Sequence, residues 1–84
     1  MWAITFTHRA RKDFLPLEKG VQERIAKKLD SAKSNPKAAF ESLSNAEYFK
    51  LRIGDYRVVA TMDNEKNEIT IHRIGHRKNI YGKI

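Results

Sequence analysis

A chain of 84 residues, 40% of them hydrophobic, is enough for one thin core and leaves little room for a buried cofactor or a deep small-molecule pocket, so function is expected on a surface. The formal charge is +7, from 17 Lys and Arg against 10 Asp and Glu, and a domain this small and basic invites a polyanion, nucleic acid first. Cysteine is absent, which excludes disulfides and thiolate metal sites, and no stretch approaches the ~20 apolar residues of a membrane span. Residues 1–84 therefore read as a single cytoplasmic domain with no membrane partner.

Trp2, Ile4 and Phe6 alternate with Ala3, Thr5 and Thr7, the period of a half-buried strand rather than of a signal peptide. Thr7 is placed to cap a helix whose apolar stripe is Ala10, Phe14 and Leu17, and Pro16 stops or bends it early. Lys19-Gly20 reads as the turn into a second helix, with Val21, Ile25, Leu29 and Ala32 on one face. Its other face carries Arg24, Lys27 and Lys28, and it ends before Pro36. Residues 34–45 read as a connecting loop, with a helical turn near Ala38–Phe40. Beyond Glu47 the period returns to two: one strand to Ile53, a two-residue turn at Gly54-Asp55, and a return strand from Tyr56 to Met62. A polar loop and a last strand, Ile69–Ile74, complete an α+β order, β-α-α-β-β-β, with an antiparallel sheet and a helical hairpin on one face.

The hairpin makes a definite claim. A two-residue turn sets Ile53 opposite Tyr56, Arg52 opposite Arg57, Leu51 opposite Val58 and Lys50 opposite Val59. Leu51 and Val58 then lie under the helices, and Lys50, Arg52 and Arg57 share the other side. Like charges facing each other on a sheet cost ~0.2–1 kcal/mol, and no acid is expected within this triangle, so a phosphate site explains it best. If the next loop spans 64–67, Val59 faces His72 and Arg57 faces Ile74, which brings His72 and His76 to the border of the triangle. The same count turns Arg73 toward the helices, a poor place for an arginine unless a bulge or the end of the sheet intervenes. Arg73, Arg77, Lys78 and His76 crowd a final stretch that holds no acid. His72 and His76 do not suggest metal, because four strand residues span about 13 Å. No metal and no other cofactor is expected.

The run Tyr48-Phe49-Lys50-Leu51-Arg52-Ile53-Gly54-Asp55-Tyr56-Arg57-Val58-Val59, followed by Arg73-Ile74-Gly75-His76-Arg77-Lys78-Asn79-Ile80-Tyr81, resembles the RelE/ParE toxin superfamily of type II toxin–antitoxin systems. The opening, Ile4 to Phe14, is similar to the family's first strand and helix. The resemblance implies the fold read above and a toxin that enters the ribosomal A site and cuts mRNA without a metal. It also implies a RelB-like antitoxin from an adjacent gene, which wraps the toxin and, in complex with it, holds their operator DNA. Lys50 falls on a family lysine of the RNA site, Arg57 and Arg77 fall on its arginines, and Tyr81 on a tyrosine that stacks on or orients the RNA. Arg52 matches a further basic position. Tyr48 stands where RelE has a second lysine, His76 where it has a lysine, and Tyr81 lies two residues nearer to Arg77 than in RelE.

The implied reaction uses the 2′-hydroxyl as nucleophile. Arg57, Arg52 and Arg77 are the expected phosphate-neutralising groups. Lys50 and His76 both fit proton transfer, and the residues do not choose between them. Arg73, Lys78, Arg24, Lys27 and Lys28 are expected to bind the RNA backbone. Two alternatives are a ParE-type poison of DNA gyrase and a non-catalytic nucleic-acid-binding module.

Overall fold

The computed structural model describes residues 2–43 and 47–78. Its elements run β1 (Ala3–Phe6), α1 (His8–Phe14), α2 (Lys19–Ala32), α3 (Pro36–Ala39), β2 (Glu41–Ser42), β3 (Phe49–Ile53), β4 (Tyr56–Asp63) and β5 (Glu68–His76). The α+β class stands, with five strands in the order β1-β5-β4-β3-β2. Strands β2 to β5 pair antiparallel, whereas β1 lies parallel to β5 at the edge.

Thr7 caps α1 as its position suggests: its hydroxyl accepts from the Ala10 amide at 3.1 Å, satisfying a first-turn donor that has no helical partner. The reversal between α1 and α2 is made by residues 15–18, not by Lys19-Gly20, which lie in the first turn of α2. Pro16 is the cause on one side, since it offers no amide to continue α1. On the other side, the Gln22 Nε2 amide donates to the carbonyls of Phe14 and Leu15 at 3.1 Å each, so α2 itself closes the C-terminus of α1.

Ile25, Leu29 and Ala32 press the apolar stripe of α2 onto Leu51, Ile53, Val58, Ala60, Ile69, Ile71 and Ile74 of the sheet. Each large side chain removed from water in this way contributes roughly 1.5–3 kcal/mol. The segment read as a loop from 34 to 45 contains α3, begun by Pro36 in its first turn, and the two-residue strand β2. Strand β2 pairs Glu41 with Lys50 and Ser42 with Phe49, extending the sheet by one strand.

The hairpin register is the expected one, pair for pair: Ile53 with Tyr56, Arg52 with Arg57, Leu51 with Val58 and Lys50 with Val59. Gly54 supplies the positive φ, +59°, that the turn requires and that a side chain would strain. The β4–β5 register holds from Asp63↔Glu68 to Ala60↔Ile71, then shifts by one at His72. Val59 therefore faces Arg73, not His72, and Arg57 faces Gly75, not Ile74. That single-residue bulge re-aims everything after it.

Candidate nucleic-acid interface

The site grows from the sheet surface that the helices leave uncovered. Alternation puts Tyr48, Lys50 and Arg52 on one side of β3, and the register adds Arg57, Val59 and Thr61 from β4. Gly75 pairs with Arg57, and the Arg77 amide donates to the Asp55 carbonyl at 2.8 Å, so Arg77 continues the ladder with the parity of Gly75. Lys50, Arg52, Arg57 and Arg77 are thus gathered along one side of three strands, with Leu51 and Val58 on the core side.

The four cations are not equivalent. Arg52 and Arg77 are exposed, and Lys50 is half-buried with Glu41 as its register partner on β2. An acid therefore does border the triangle, invisible in the sequence because the two residues of β2 carry no strand period. Arg57 is 6% exposed, sunk below the surface rather than presented as an open grip. Its Nη1 donates to the carbonyls of Gly54 and Tyr56, both at 2.9 Å. Those carbonyl dipoles offset the repulsion from Arg52 across the strand pair and hold the guanidinium in one orientation.

The bulge sorts the histidines. His72 lies beside the cationic side: its Nε2 is 2.9 Å from the Thr61 hydroxyl, and its ring meets Tyr48 edge-to-face at 5.8 Å. His76 pairs with Tyr56, on the parity of Val58 and Ile74, and their rings meet at 5.7 Å. The structure thus puts His72 on the cationic side, in the row of Tyr48 and Thr61 next to that of Lys50, and His76 on the other side.

The bulge takes Arg73 off the core parity that the unbulged count gave it, but its side chain stays largely covered against α1. The bulge sets it against Val59, and its Nε bonds the Asp13 carboxylate of α1 at 2.8 Å, both side chains being about one-sixth exposed. The same carboxylate oxygen accepts from the Ile74 amide at 3.0 Å, and Arg9 approaches its other oxygen at 3.8 Å. Since β1 ends at Phe6, the edge of β5 beyond Ile71 has no strand neighbour there among the described residues. Asp13 and the Thr7 hydroxyl, which donates to the His72 carbonyl at 3.4 Å, occupy that edge instead. Nothing local in the sequence marks Asp13, an acid on a short helix 60 positions from its partner.

A second basic surface joins the first beside the Arg52–Gly54 end of β3, beyond its pairing with β2. Arg24, Lys27, Lys28 and Ser31 of α2 line a groove with Arg52, Ile53 and Gly54. Arg24 reaches the hairpin turn itself, its Nη1 lying 3.4 Å from where a Cβ on Gly54 would stand. Lys78 is exposed, with its amide on the His76 Nδ1 at 3.3 Å. Tyr81 lies outside the described residues.

A mixed five-stranded sheet carrying a helical hairpin on one side is a RelE-like fold, and solved structures share it. The fold is similar to that of the RelBE2 toxin–antitoxin complex of Mycobacterium tuberculosis, with 25% identity and a TM-score of 0.83 over 90% of this chain and 98% of that one. It is similar also to the intact Escherichia coli RelBE complex, with 27% identity and a TM-score of 0.76 over 90% and 96% of the two chains. The isolated E. coli RelE toxin shares the fold at 24% identity and a TM-score of 0.81, over 99% and 94%. A family model described as the ParE toxin of the type II toxin–antitoxin system parDE matches residues 4–81, and the chain belongs to that family, within the RelE/ParE superfamily. No curated protein matches.

Proposed function

We propose that this toxin cuts mRNA on the ribosome without a metal, and that a RelB-like antitoxin, encoded beside it, silences it by covering the cationic surface. The observation that carries the reading is the line of Lys50, Arg52, Arg57 and Arg77 on one side of the sheet, with α2 cations continuing it. In that reaction the 2′-oxygen attacks the adjacent phosphorus, a cyclic phosphate forms, and the 5′-oxygen departs with a proton. Charge grows on the phosphate as attack proceeds, so cations held in place beforehand favour the transition state over the ground state. Arg57, fixed by two carbonyls, supplies a stationary field beneath the phosphate; Arg52 and Arg77 are exposed and suited to grip it. Lys50, on the same side, is the nearer candidate for proton transfer, and His76, on the other, is the less well placed. Arg24, Lys27, Lys28 and Lys78 add backbone contacts, whereas Arg73 serves mainly Asp13. Tyr81 is proposed to stack on or orient the RNA.

Several of the similar solved structures are toxin–antitoxin complexes, RelBE from E. coli and RelBE2 from M. tuberculosis among them, which supports an antitoxin partner for this chain. Operator DNA is proposed to be bound only through that complex. The name of the matching family favours a second reading, poisoning of DNA gyrase. Purified toxin on mRNA-programmed ribosomes, run beside a gyrase supercoiling assay, decides between them. Cleavage in the A site with unimpaired gyrase is the expected result; intact mRNA with trapped gyrase–DNA complexes would replace the nuclease by the poison.

A further inference from the structure

Next to the cationic line, one step along β3, lies a row of a different character. Phe49 pairs with Ala60, so Tyr48 falls opposite Thr61, and the bulge swings His72 against Thr61 from the far side. Tyr48, Thr61 and His72 come from three consecutive regions of the sheet, carry no acid or ammonium group, and are all half-buried, with their remaining surface open. Two residues of strand, about 7 Å, separate this row from Lys50.

The chemistry of the two rows is complementary to a nucleotide. The cationic row suits a phosphate. The neighbouring row offers two rings crossing at 83°, an arrangement in which one ring's edge contacts the other's face and the second face of the contacted ring stays available for stacking. It also offers a hydroxyl whose hydrogen bond to His72 Nε2, at 2.9 Å, runs in either direction according to the imidazole tautomer. When Thr61 donates to His72, its lone pairs are left to accept from a base edge; when it accepts, its own proton is available to be donated. A support for the bulge alone would need neither ring nor hydroxyl, since Thr7 and Asp13 already hold that segment of β5.

We propose that Tyr48, Thr61 and His72 seat the nucleobase adjoining the scissile phosphate and set which base is preferred there. This rests on the nuclease reading for its biological meaning, but the seat itself is tested apart from cleavage. The probes are four uncleavable 2′-O-methyl RNA trinucleotides differing in the central base, titrated against the full chain while ring resonances of Tyr48 and His72 are followed by NMR. The expected result is a shift of both rings and an affinity spread of about ten-fold between the best and worst base. Thr61→Val should collapse that spread with ring shifts retained. Tyr48→Phe should retain the affinity, and Tyr48→Ala should lower it about ten-fold. His72→Gln, which keeps a hydrogen-bonding group toward Thr61 but removes the ring, covers the case in which Tyr48→Ala does not fold. Rings that stay unmoved while backbone amides near Arg52 and Arg77 shift, or a base preference unchanged by Thr61→Val, would overturn the seat. Failure of the parent to cut mRNA on ribosomes would instead remove the nuclease reading and leave the titration as the judge of the seat.

Discussion

Replacing Asp13 by alanine should destabilise the protein more than its place on a seven-residue helix suggests. The carboxylate accepts two hydrogen bonds, from Arg73 Nε at 2.8 Å and from the Ile74 amide at 3.0 Å, and its side chain is 16% exposed. Hydrogen bonds to a charged group contribute about 1.5–3 kcal/mol each when dry, and partial exposure lets water replace part of the loss. The alanine variant leaves a largely covered guanidinium without its counter-charge and a strand-edge amide without an acceptor, for a net loss of about 2–3 kcal/mol. In a domain of this size that lowers Tm by roughly 10–20 °C. Asp13→Asn, which keeps an acceptor for Ile74 but not the charge, should lose about half as much. Arg9, on a side chain 60% exposed and 3.8 Å away, should matter by less than ~0.5 kcal/mol. The assay is urea denaturation of Asp13→Ala, Arg73→Ala and the double variant, from which the coupling energy follows as the departure from additivity. A coupling near zero, or an Asp13→Ala protein within ~0.5 kcal/mol of the parent, would refute the view that this ion pair holds the bulged half of β5.

Arg77→Ala should lower single-turnover cleavage on programmed ribosomes by ~10²-fold, the scale for loss of one preorganised group, while ribosome affinity falls far less. Equal loss of both would reduce Arg77 to a docking contact. Replacing Arg24, Lys27 and Lys28 together by alanine should flatten the dependence of log K on log salt for single-stranded RNA by about 2, which a filter-binding series at several salt concentrations would show. Gly54→Ala should cost about 1–2 kcal/mol in a denaturant titration, because its φ of +59° strains any side chain and the new Cβ meets Arg24. A neutral outcome would mean that the turn relaxes to another type.

What the residues determined by themselves was local. Alternation in Tyr48–Ile53 and Tyr56–Met62, with a glycine able to take positive φ between them, fixes the β3–β4 register, and with it the shared side of Lys50, Arg52 and Arg57. The Thr7 cap and the stripe of α2 are legible for the same reason, since each is decided within one or two turns of chain. The rest depends on partners far apart in sequence. The two-residue strand β2 has no period of its own to read, so Glu41 came to stand opposite Lys50 unannounced. An unbroken alternation cannot reveal the extra residue at His72, because the bulge exists to fit β5 to both β4 and the α1 edge. Only that fit decided that Arg73 would meet Asp13, that His72 and His76 would part to opposite sides, and that Tyr48, Thr61 and His72 would meet in one row beside the cations.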